Sequence, residues 1–82
     1  MTRIPRDISA TDLVKALKIF GYTIIRQTGS HMRLTTQSNG THHITVPNHK
    51  ALRLGTLAAI VDDVAQHFAV SRDQVIKELF EN

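Results

Sequence analysis

The sequence predicts an α+β fold in which helices cover one face of a three-stranded antiparallel sheet. Three observations carry this. Leu13, Ala16, Leu17 and Phe20 recur at helical spacing behind Ser9. Residues 31–36 and 42–46 alternate apolar and polar side chains on either side of Asn39-Gly40. A second helical period then runs through Leu57, Ile60, Val61, Val64 and Phe68.

Each element has local reasons. Ser9 with Asp12 forms an S-x-x-D start, in which the serine hydroxyl satisfies free N–H groups of the first turn. Lys15 and Lys18 point away from the apolar stripe, and Gly21 sits where a left-handed C-terminal cap is usual. Residues 22–27 are rich in aromatic and β-branched types and predict a first strand, broken by Thr28-Gly29-Ser30. In the second strand Met32 and Leu34 face one way, and His31, Arg33 and Thr35 the other. Asn39-Gly40 tolerates positive φ at both positions and predicts a hairpin turn. Ile44 and Val46 then point inward, His43 and Thr45 outward, and Pro47 ends the third strand. A polar loop, 48–55, leads to a helix expected to take Thr56 as N-cap, with Asp62, Asp63 and Gln66 on its solvated face. Ser71 and Gln74 form a capping box for a last helix carrying Val75, Ile76, Leu79 and Phe80. The order is α-β-β-β-α-α.

An 82-residue chain is expected to form one domain over 1–82, since division would leave neither part a workable core. No cysteine is present, which excludes disulfides and thiolate metal sites. No apolar run is long enough to span a bilayer. The opening MTRIPRDIS lacks an apolar signal core, so a cytoplasmic location is expected. The net charge of +3 and a pI near 9.8 favour an anionic partner, nucleic acid first.

The outward face of the predicted sheet holds the residue types that cut RNA. Cleavage through the ribose 2′-hydroxyl needs a group that exchanges a proton near neutral pH, which imidazole does, and a cation to hold the phosphate. His31 supplies the first and Arg33 the second, with Arg26, Lys50 and Arg53 as further candidate RNA contacts. The plainer reading of His31 is a turn-exit residue bonded to nearby backbone. His42, His43 and His49 do not predict a metal site, because adjacent strand residues face opposite ways and no carboxylate lies near them. His67 reads as a boundary side chain. Gly55-Thr56 reads as a helix start and, with Lys50 and Arg53 before it, as a candidate phosphate contact. Arg3 and Arg6 are solvated by default.

Gly29-Ser30-His31 after a strand, then Val46-Pro47-Asn48-His49, then Gly55-Thr56-Leu57 with Ile60 following, resemble the HicA toxin family. Phe20-Gly21-Tyr22 and Arg26-Gln27-Thr28 match the same pattern, which extends from about Ser9 to Phe80. The resemblance implies a double-stranded-RNA-binding-domain-like α-β-β-β-α fold, here with an extra C-terminal helix. It implies a type II toxin–antitoxin toxin that cleaves messenger RNA without a metal or other cofactor. The histidine of the G-S-H motif is the family's catalytic residue and falls on His31. The expected partners are messenger RNA and a HicB-type antitoxin that blocks the His31 face, with no membrane. The residues before Ser9 and after Phe68 are additional to a minimal family member. Two other readings stand beside it: a non-catalytic RNA-binding module of the same fold, and a protein-interaction domain that uses the open face or an edge strand.

Overall fold

The computed structural model describes residues 3–81. Helix α1, Ala10–Leu17, runs into a 3₁₀ turn at Lys18–Phe20. Strands β1 (Thr23–Thr28), β2 (His31–Thr36) and β3 (His42–Pro47) follow, then helices α2 (Leu54–Phe68) and α3 (Arg72–Phe80). The strands form one antiparallel sheet in the order β1-β2-β3. This is the α+β architecture and element order that the sequence predicts.

The helix starts obey their signals. Ser9 Oγ accepts from the Asp12 N–H at 3.0 Å, and Ser71 Oγ from the Gln74 N–H at 3.0 Å. Only half of the second capping box forms, because the Gln74 amide donates forward to Glu78 Oε1. Gly21 has φ +84 and is required twice over: a Cβ there would meet Thr36 Oγ1 at 2.8 Å and Ser38 Oγ at 2.9 Å. Thr36 is the buried polar residue of β2, and its hydroxyl donates to the Phe20 carbonyl at 2.8 Å. Asn39 and Gly40 both take positive φ, within a connection spanning 37–41.

The start of α2 differs from expectation. The helix begins at Leu54 with Arg53 as N-cap, and Arg53 makes no side-chain capping bond. Thr56 lies inside the first turn instead of capping it. Two backbone bonds fix the earlier start by anchoring the preceding loop to the N-terminal segment: Ala10 N–H to the His49 carbonyl at 2.9 Å, and Leu52 N–H to the Ile8 carbonyl at 2.7 Å. Leu52 is thereby buried, so chain direction is set before Thr56 is reached. The first strand also runs one residue later than predicted, because Tyr22 is drawn wholly into the core.

Leu13, Leu17, Tyr22, Leu34, Val46, Leu57, Val61, Val64, Val75 and Ile76 form the centre of the core between the sheet and the helices. A polar chain is embedded at its rim. The Tyr22 hydroxyl lies 2.7 Å from His42 Nδ1, and His42 Nε2 lies 3.1 Å from Asp63 Oδ1. His42 stacks on His67, with ring centroids 4.5 Å apart, and His67 Nε2 donates to the Ser38 carbonyl at 2.9 Å. Asp63 therefore has a partner, although its position predicts a solvated side chain. His67 is a boundary residue, as the sequence suggests.

Burial and the nearby Asp63 carboxylate push the Tyr22 phenol up to about 12 from 10. The phenol keeps its proton and donates to Nδ1, which leaves the His42 Nε2–H to donate to Asp63. Raised folded-state affinity for a proton is stabilising below the unfolded pKa and is lost as pH climbs through the folded one. Stability is thus expected to fall between pH 10 and about 12 by on the order of 2–3 kcal/mol. Urea midpoints measured from pH 9 to 12 test this, and Tyr22→Phe should flatten that part of the profile.

Candidate active site

The sheet has one covered and one open side. Along β2 the side chains alternate: Met32, Leu34 and Thr36 are buried, while His31 and Arg33 are exposed and Thr35 is half-buried. His31 is the first residue of β2, immediately after the two-residue turn Gly29-Ser30. Cross-strand pairing puts Thr28 on one side of it and Pro47 on the other. The Ser30 hydroxyl lies 2.9 Å from His31 Nδ1. That contact engages Nδ1, and Nε2 of the exposed ring has no hydrogen-bond partner among the described residues. In the sequence, only its place in the G-S-H motif marks Ser30.

The motifs read separately in the sequence meet here. The Asn48 N–H donates to the Ser30 carbonyl at 2.9 Å, so the exit of β3 is bonded to the turn that presents His31. Pro47 has no N–H to give, and it sits on an edge strand where none is needed.

Arg33 lies two residues along β2 from His31, about 7 Å at the rise of a strand, on the same face. Its cross-strand partner on β1 is Arg26. A bulge between Ile24 and Arg26 sets this register by leaving Ile25 unpaired. Two like charges directly opposite each other destabilise a sheet. Among the described residues no carboxylate pairs with either arginine; the ion pairs are Arg72 with Asp62 and His42 with Asp63, both on the helical side. The Arg72 fork holds the Asp62 carboxyl below its ordinary pKa.

Charge is separated along the whole chain. Residues 13–61 contain no Asp or Glu, while Lys15, Lys18, Arg26, Arg33, Lys50 and Arg53 all fall within them. The sheet and its loops are therefore uniformly basic, and the acids gather before α1's second turn and on α2 and α3. His43 and Thr45 share the open face with Arg33, where Thr45 is Arg33's partner on β3 and His43 pairs with Thr35.

The other candidates are less closely placed. Lys50 and Arg53 are exposed on the loop that leaves β3 at the level of His31, with no hydrogen bond or ion pair to it among the described residues. Thr56 is half-buried on the helical layer and has no contact with His31. Arg3 and Arg6 are exposed. Among the described residues no group of three His, Cys, Asp or Glu is arranged to hold a metal ion, and no helix is long and apolar enough to cross a membrane.

Residues 10–66 match the family model described as HicA toxin of bacterial toxin-antitoxin. The chain belongs to the HicA toxin family. The match covers every strand, α1 and nearly all of α2, and so includes the G-S-H turn and the whole open face. No curated protein and no solved structure matches the chain. Membership makes this HicA chain the toxin of a toxin–antitoxin pair and implies an antitoxin as its partner.

Proposed function

We propose that this toxin is a metal-independent endoribonuclease acting on messenger RNA, with His31 as its catalytic residue and a HicB-type antitoxin as its inhibitor. The observation that carries the reading is an exposed imidazole, bonded to Ser30, beside two arginines that face each other with no carboxylate paired to either among the described residues. A protein gains nothing for its own stability by setting two guanidinium groups opposite each other. A bound phosphate turns that repulsion into attraction and places the scissile linkage near His31.

In the reaction, the ribose 2′-oxygen attacks the adjacent phosphorus as its proton leaves, and the bond to O5′ breaks. His31 takes the 2′-hydroxyl proton or supplies one to O5′, and solvent completes the other transfer. The products are a 2′,3′-cyclic phosphate and a 5′-hydroxyl, with no oxidant or metal required. Arg33 and Arg26 hold the non-bridging oxygens as charge accumulates on them. Lys50, Arg53 and Thr56 serve as flanking contacts to the RNA backbone on either side of the cut.

Incubation with RNA in EDTA tests this directly. Cleavage should persist, the 5′ ends should carry hydroxyl, and a 2′-O-methyl substrate should remain intact. Retention of RNA in a gel shift with no cut would make the chain a binding module instead.

The arginine pair gives a sharper expectation. Arg33→Ala or Arg26→Ala should weaken RNA binding and flatten the salt dependence by about 0.7 in log–log slope per lost phosphate contact to single-stranded RNA. The same changes should leave the fold as stable as before, or a few tenths of a kcal/mol more stable, because a cross-strand repulsion is relieved. Filter binding across a salt series and urea melts of the same samples read both halves. A lower melting midpoint with unaltered RNA affinity would mark the arginines as structural.

A further inference from the structure

The open face accounts for one side of β1, and the other side has no assigned role. Ile24 stands in cross-strand register with Leu34, and Leu34 with Ile44. Those neighbours are 0% and 4% exposed, whereas Ile24 is 43% exposed. The apolar surface of the sheet thus continues outward onto β1 after the helical layer above it has ended. Between β1 and α1 lies a groove of about 610 Å³. Its floor includes Val14, Ile24 and Met32, and its helical rim carries Lys15 and Lys18. Neither lysine ammonium has a hydrogen-bond or ion-pair partner among the described residues, and Asp12 on the same helix does not line the groove. Ile19 and Ile25, the chain neighbours of Lys18 and Ile24, are also exposed, at 54% and 52%. Among the described residues, the outer edge of β1 pairs with no strand.

We infer that this groove is the docking site for an acidic segment of the antitoxin, which seats an apolar side chain against Ile24 and Met32 and its carboxylates on Lys15 and Lys18. The inference rests on the toxin reading for the existence of the partner, and goes beyond it in naming the surface and the chemistry. A second copy of this chain is the poorer fit: its strand region is wholly basic, and the α2 carboxylates Asp62 and Asp63 are already paired with Arg72 and His42. Side-chain type favours a protein segment over RNA: unpaired bases stack on exposed aromatic rings, whereas the groove floor is aliphatic and Tyr22 is wholly buried. Gln27 and Asn48 line the end of the groove, and they adjoin Thr28 and Pro47, the two cross-strand partners of His31. A segment lying along the groove therefore emerges at the G-S-H turn, where the next residues of the antitoxin reach over His31.

The test uses the full chain and the antitoxin encoded beside its gene, with affinity read by titration calorimetry. Ile24→Asp, and separately Lys15→Glu with Lys18→Glu, should each weaken the antitoxin at least tenfold, while RNA cleavage stays within about threefold of the unmodified chain. Lys77→Glu on α3 changes charge in the same direction elsewhere and should leave both unaltered. All four substituted residues are exposed, and circular dichroism melts check that each variant folds. Groove variants that bind antitoxin as tightly as before would overturn the proposal, as would an antitoxin that does not bind the unmodified chain. Groove variants that lose RNA affinity in equal measure would give the surface to RNA and overturn it too. If the unmodified chain binds antitoxin but cuts no RNA, the nuclease reading fails while the calorimetric contrast still decides the docking site.

Discussion

Replacing His31 with alanine is expected to lower RNA cleavage by 10²- to 10⁴-fold, the range typical of losing a positioned acid–base group. The fold should not change measurably. His31 is exposed, and its ring makes one side-chain bond, to Ser30, which is itself exposed. Surface substitutions of this kind fall within about 0.5 kcal/mol. RNA affinity should also persist, because Arg26 and Arg33 remain. The expected pattern is therefore a protein that melts normally, shifts RNA on a gel, and no longer arrests growth when expressed. Ser30→Ala should give a smaller loss with the same products, since the imidazole survives without its fixed orientation. Retention of full cleavage by His31→Ala would remove this residue from the mechanism and leave the basic face as a binding surface only.

What the sequence discloses depends on how local the cause is. Strand β2 is legible to the residue, because its alternation from His31 to Thr36 is a period-two pattern with clear breakers at both ends. The Ser9 and Ser71 caps are equally local. The site's two main groups follow from the same pattern, since one strand's parity places both His31 and Arg33 on the outer face. The Arg26–Arg33 opposition is different in kind. It depends on a bulge at Ile25, and nothing in Ile24-Ile25-Arg26 says which isoleucine is expelled from the ladder. The Tyr22–His42–Asp63 chain joins residues 20 and 21 positions apart, so no spacing rule reveals it. The start of α2 is fixed by bonds from residues 8–10 to the preceding loop, which overrides the N-cap preference of Thr56. Likewise β1 reads as an ordinary strand, and its lack of cover is a property of where the helices end.

That missing cover makes a pair of core substitutions informative. Leu34→Ala should destabilise the chain by about 2–5 kcal/mol, because Leu34 is wholly buried on the central strand and its neighbours cannot collapse across a sheet to fill the space. At roughly 0.05–0.15 kcal/mol per residue, a chain of this length has about 4–12 kcal/mol in all, so the loss is a large share of it. A fall in melting temperature of about 10–30 °C is therefore expected, with a sizeable unfolded population near 37 °C. Ile24→Ala removes a side chain from the same cross-strand row and should be far milder, under about 1.5 kcal/mol, since much of that residue is already in water. The two residues are cross-strand partners of one aliphatic class on the same face and differ in what covers them. Equal losses would mean that β1 is covered in the free chain, and would leave no groove for a partner. A large difference that narrows when the antitoxin is bound would show that the partner supplies the layer that α1 and α2 do not.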